Sequence, residues 1–247
     1  MSATGSIEAS HAKLDIRADL TDAMSTAWER LAKPGSGFTG TQRLAIARVT
    51  RAALGDEDPL PPWIRPSTVD DRAADPDLAP HLADAVYRLT LHAKTLTEEW
   101  YRDVLSMAEL SPQQWVEAIE VVVVVVSIDG FATAAGLPKA ELPAVHPGPP
   151  TGSAAEVAAK PARHHWVPVV HLEDDVDGFY GGASLAPPVV RALSAVPTSR
   201  ATQRQLVAAM YMDGPAMADL DWTRGTLDRR QIELVASRLS SLRDCFY

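Results

Sequence analysis

Ser111-Pro112-Gln113-Gln114-Trp115-Val116-Glu117-Ala118-Ile119-Glu120, then six valines at 121–126, then Ser127-Ile128-Asp129-Gly130-Phe131-Ala132-Thr133-Ala134-Ala135-Gly136: this stretch decides between a helical and a strand-rich fold. Its signals conflict. A run of β-branched side chains favours a strand, because two heavy atoms on Cβ suit a pleated surface better than a helical turn. The ends of the stretch favour a helix. Ser111 stands at an N-cap, Pro112 at the first helical position, and Gln114 three residues after the cap, where it reaches back as in a capping box. Gly136 supplies a stop about 24 residues later. The reading is one long helix, with burial on every face accounting for its valines.

The flanking sequence reads the same way. Residues 1 to about 20 look weakly ordered. Leu20, Met24, Ala27, Trp28 and Leu31 recur at helical spacing, and Pro34, Gly35 and Gly37 end that helix at about Ala32. Thr41 to Leu54 carries a stripe of Leu44, Ala47 and Val49, with Arg43, Arg48 and Arg51 around the rest. Six prolines between 55 and 80, Pro66 among them, predict a stiff loop. Helices follow from Pro80 to Leu91 and from Thr97, an N-cap with Glu98 and Glu99 on the positive end of the dipole. Residues 137–187 are rich in Pro and Gly and read as a linker, with a short extended piece at His164–His171. Helical pattern resumes over Pro188–Ala195 and Ser199–Met212. It closes with a helix capped by Asp228 and Gln231, along which Ile232, Val235, Ala236, Leu239 and Leu242 recur.

Composition removes several classes. With 46% hydrophobic and 22% charged residues among 247, the chain has a real core. The net charge of −9 argues against nucleic acid and anionic membrane as partners. One cysteine, Cys245, excludes a disulfide-stapled secreted fold. The N-terminus shows no signal-peptide pattern, and the valine run is too short to span a bilayer. A cytoplasmic, all-α protein is expected. His164, His165 and His171 lack ligand spacing and read as loop histidines. Glu173-Asp174-Asp175-Val176-Asp177-Gly178 reads as a solvated acidic turn rather than a calcium loop. No metal and no organic cofactor is expected. The six tryptophans read as core and interface residues.

Leu44-Ala45-Ile46-Ala47-Arg48-Val49 echoes Leu234-Val235-Ala236-Ser237-Arg238-Leu239, which suggests two copies of one helical unit. In that register Arg43 stands where Glu233 stands, and Gly55 where Cys245 stands. The segment from Arg224 to Tyr247, above all Glu233-Leu234-Val235-Ala236-Ser237-Arg238-Leu239-Ser240-Ser241-Leu242-Arg243-Asp244-Cys245-Phe246-Tyr247, resembles the signature of the AhpD-like alkylhydroperoxidase and carboxymuconolactone decarboxylase family. That signature is a Glu-Leu-Val helix followed, about a dozen residues after the glutamate, by Cys-x-x-Cys and a histidine. Pro188–Leu193 and Thr95–Gly136 are similar to flanking parts of the family's unit.

The resemblance implies an AhpD-like helical bundle of two related repeats. The first is 1–136, degenerate and without cysteines. The second, 188–247, is incomplete and ends within the Cys-x-x-Cys motif, so the chain is expected to be truncated by frameshift, premature stop or choice of boundary. The implied function is thiol-dependent reduction of peroxides by an antioxidant protein, through a cysteine pair of which only the first is present. Cys245 would be the attacking thiolate and Glu233 part of a proton relay. The implied partners are a peroxide substrate, a thiol or dithiol electron-donor protein and further copies of the chain in a homo-oligomer. Twelve residues of straight helix would separate Glu233 from Cys245 by about 18 Å. The helix is therefore expected to turn before Cys245, with Asp244 capping a following helix whose N-terminus favours the thiolate. Two other readings stand beside this one. One is a non-catalytic helical scaffold or oligomer, favoured by the missing second cysteine and histidine. The other is a protein like carboxymuconolactone decarboxylase, which shares the fold without the cysteine pair.

Overall fold

A computed structural model describes residues 14–63, 73–152, 159–162, 165–175, 178, 180, 186–242 and 245. Expectations placed on residues 1–13, Pro66, His164, Val176, Asp177, Asp244, Phe246 and Tyr247 lie outside the described residues. The chain is mostly helical. Its helices are α1 (Ala18–Leu31), α2 (Gly40–Leu54), α3 (Pro80–His92), α4 (Glu98–Met107), α5 (Pro112–Ala134), α6 (Pro188–Arg191), α7 (Pro197–Met210), α8 (Gly214–Ala218) and α9 (Arg229–Leu242). Two small antiparallel hairpins join them: β1 (Ala159–Ala162) with β2 (His165–Val170), and β3 (Thr223–Arg224) with β4 (Leu227–Asp228).

The long helix forms as its ends dictate. Ser111 Oγ accepts from the Gln114 amide at 3.1 Å while Gln114 Oε1 accepts from the Ser111 amide at 2.9 Å. Gly136 takes the left-handed backbone that stops the helix, with φ of 67°. Strand propensity loses because α5 is the central rod of the bundle. α1, α2, α3, α7 and β2 all pack on it, and Val121, Val122, Val124, Val125 and Ile128 are buried. Each buried valine gains about 1.5 kcal/mol or more by leaving water. The helical penalty of a β-branched residue is a few tenths of that order, at most about 0.7 kcal/mol.

The other helices start close to the expected positions, with Thr39 and Gln42 capping α2 reciprocally and Thr97 capping α4. One differs. The helix expected over Pro188–Ala195 is the single turn α6, because the chain leaves the helical region at Ala192, with ψ of 143°, and Leu193 follows in the left-handed region with φ of 63°. The reversal turns Leu193, Ala195 and Val196 inward against Val116 of α5. Among the tryptophans, Trp28 and Trp115 are core residues, Trp63 is exposed, and Trp115 meets Trp100 edge-on at 5.7 Å.

The first part of the Pro-rich stretch is fastened to the bundle. The Trp28 indole donates to the Glu141 carbonyl at 2.8 Å, and Arg51 Nη2 donates to the Ala140 carbonyl at 2.7 Å. The amides of His146, Thr151 and Gly152 donate to the carbonyls of Ala32, Gly35 and Ser36. The strap therefore lies over the loop between α1 and α2 and shields it. No helix among the described residues is long and apolar enough to cross a membrane.

Candidate functional site

Glu233 is positioned by a tight local construction. Gly225, with φ of 60°, turns the chain between β3 and β4 and delivers Asp228 to the start of α9. There Asp228 Oδ1 accepts from the Gln231 amide at 2.9 Å and Gln231 Oε1 accepts from the Asp228 amide at 3.0 Å. Arg224 donates to the carbonyls of Ala208 and Ala209 at the end of α7, where a cation complements the helix dipole. Arg229 Nη1 donates to the carbonyls of Ala216, Met217 and Asp219. The same guanidinium then serves Glu233, whose Oε1 accepts from Arg229 Nε at 2.7 Å while Oε2 accepts from Tyr211 Oη at 2.8 Å. The Tyr211 and Arg229 hydrogen bonds hold the Glu233 carboxyl below its ordinary range. Burial and then the facing carboxylate push the Tyr211 hydroxyl up.

Cys245 is a free, exposed thiol. Its amide donates to the Ser240 carbonyl, five residues back, at 2.9 Å, so it sits at the carboxyl end of α9. Ser240 lies seven residues past Glu233, about 10 Å along the axis. The Glu233 carboxylate reaches the other way, toward Arg229. The structure thus places both expected site residues and does not bring them together. Cys245 therefore stands just past the carboxyl end of α9. Between them α9 exposes Leu234, Val235, Leu239 and Leu242, each 58% or more accessible.

The densest charged constellation is elsewhere and escaped the sequence reading. Arg43, expected on the polar side of α2, is 1% exposed. Its Nη1 donates to Glu117 Oε1 at 2.7 Å and to Glu120 Oε2 at 3.3 Å. Glu117 Oε2 also accepts from Ser36 Oγ and the Gly37 amide, and Glu120 from Arg30 Nε and Ser199 Oγ. The cluster ties α1, α2, α5 and α7 through two buried carboxylates. Gly35 makes room for it, since a Cβ there would stand 1.7 Å from Glu117 Oε1. A second pair, Arg51 with Asp129, is bidentate at 2.7 and 2.8 Å, and the guanidinium stacks over Trp28. One signal in the sequence points to these contacts. Acids at 117, 120 and 129 interrupt an otherwise apolar helix, and a buried acid requires a cation.

Burial pushes the Glu120 carboxyl up, but Arg43, Arg30 and the Ser199 hydroxyl together hold it below its ordinary value. A carboxyl depressed by folding stabilises fully above its unfolded pKa, and that stability is lost as pH falls through the folded value. The Glu120 contribution to stability is therefore expected to be constant above about pH 4.3, the unfolded glutamate value, and to fall below it. In Glu120→Gln the acid-side fall should be shallower, as read by melting temperature against pH. An unchanged acid limb in that variant would remove Glu120 from the account.

His171 is half-buried, with Nδ1 3.8 Å from Glu173, and no group of three or more metal-ligating side chains occurs among the described residues. No family model, curated protein or solved structure matches this chain.

Proposed function

We propose that this chain is an AhpD-like helical protein of two related repeats that reduces peroxides through the Cys245 thiol. The carrying observation is an accessible cysteine just past the end of α9, twelve residues after a glutamate of that helix whose carboxylate Arg229 and Tyr211 hydrogen-bond. The repeat relation has its own support. α2 and α9 both start on a reciprocal capping box, one residue out of step with the Leu44/Leu234 register. In the first copy the position of Glu233 is taken by Arg43, whose charge is neutralised internally.

The chemistry balances with an outside thiol. The Cys245 thiolate attacks a peroxide oxygen, the O–O bond breaks, the alcohol leaves with a proton and Cys245 becomes a sulfenic acid. A donor thiol condenses with it, releasing water and forming a mixed disulfide, which a second donor thiol opens. The chain has one cysteine, so both reducing thiols belong to the donor. A donor of that kind fits a reducing, cytoplasmic setting. Consumption of an alkyl hydroperoxide with a dithiol reductant is the test. Cys245→Ser should fall to the uncatalysed rate. Equal rates for the wild type and Cys245→Ser would refute the proposal. The alternative reading, a non-catalytic helical scaffold that associates with copies of itself, is favoured by the separation of Glu233 from Cys245 and by the open apolar face of α9.

A further inference from the structure

Arg200, on α7, is 8% exposed and has no carboxylate partner among the described residues. Its Nε finds no hydrogen-bond partner, and Nη1 reaches only Gln203 Oε1 of its own helix, at 3.5 Å. Arg43 and Arg88 also keep buried N–H groups without a partner, but each has a carboxylate: Glu117 and Glu120 for Arg43, Asp84 for Arg88. Arg200 instead faces a like charge, Arg204, one turn on. Together with Pro197, Ala201, Gln205 and Ala208 the two arginines line an open hollow of about 360 Å³. Burial, followed by the nearby Arg204, pulls the Arg200 guanidinium below its ordinary range. A desolvated guanidinium beside a like charge is costly, and an anion against it offsets part of that cost.

We propose that the hollow on α7 lined by Arg200 and Arg204 binds a small organic carboxylate. The guanidinium plane offers a fork of N–H donors that matches a carboxylate, and Arg200 and Arg204 both line the hollow. The rest of the wall, Pro197, Ala201 and Ala208, is apolar and fits a short hydrocarbon tail rather than a second charge. The site is separate from Cys245 and does not depend on any peroxidase activity.

Hexanoate, hexanol and inorganic phosphate are the three probes, each titrated into the full chain by calorimetry and by thermal shift. Hexanoate should bind saturably and raise the melting temperature, and hexanol should not. Phosphate should bind more weakly than hexanoate. Arg200→Met should weaken hexanoate by about tenfold or more, the loss of a charge-assisted pair, and Arg204→Gln should weaken it less. Removing an unpaired buried cation should leave Arg200→Met at least as stable as the wild type, so lost binding is not lost folding. Hexanol binding as well as hexanoate would reduce the hollow to an apolar dent. Phosphate binding more tightly would replace the carboxylate with an inorganic anion. No saturable binding, or full binding by Arg200→Met, would also overturn the proposal.

Discussion

Replacing Arg43 by methionine should cost about 3–5 kcal/mol, the range for removing one partner of a buried ion pair. Two carboxylates stay behind at 1% exposure. Glu120 keeps Arg30 and Ser199, but Glu117 keeps only the Ser36 hydroxyl and the Gly37 amide. Methionine fills most of the volume, so a cavity adds little. Urea unfolding should show a lower midpoint at an unchanged slope. Neutralising the stranded acids should then recover part of the loss. The triple variant Arg43→Met, Glu117→Gln, Glu120→Gln is therefore expected to be more stable than Arg43→Met alone. A single-variant loss under about 1 kcal/mol would mean that the cluster is hydrated and not the buried tie between helices.

Gly40→Ala should destabilise by about 3 kcal/mol, the upper part of the range for overpacking. Gly40 opens α2 where the end of α1 and the Pro-rich strap cross. A Cβ there would stand 2.2 Å from the Ala32 carbonyl oxygen and 2.9 Å from that of His146. Both obstacles are backbone, and the Ala32 carbonyl already accepts the His146 amide at 2.9 Å. Relief would separate the strap from the bundle. Gly130→Ala is the control: it lies in α5 with nothing within 4 Å of the added carbon. It should gain about 0.5–1 kcal/mol through helix propensity and a less flexible unfolded chain. If the two alanines behave alike in thermal unfolding, the crossing at Gly40 is looser than drawn.

These two results rest on features of different legibility. The helices were readable because their ends carry local chemistry: Ser111 with Gln114, Thr97, and Asp228 with Gln231 all cap where spacing puts them. The valine run was readable once length and stop signals were set against propensity. The partners of Arg43 were not, because an arginine beside Leu44 looks the same in sequence whether it faces water or an acid 74 residues away. The fastening of the strap was equally hidden, since backbone amides at 146, 151 and 152 carry no sequence signature. For the candidate site, the family resemblance pointed to Glu233 and Cys245, and the turn expected to bring them together is not what the described residues show. Their separation depends on α9 running unbroken to Leu242 and on Arg229, one turn back, drawing the carboxylate away from the thiol.

The central claim is that Cys245 is a peroxide-reactive thiol, and its most direct measurement is trapping of the first product. The reduced chain is treated with one equivalent of an alkyl hydroperoxide in the presence of a sulfenic-acid trap, and the labelled residue is located by mass spectrometry. A single adduct on Cys245 is expected, formed faster than on a free cysteine-containing peptide and abolished in Cys245→Ser. An unlabelled Cys245, or one labelled no faster than the peptide, would contradict it.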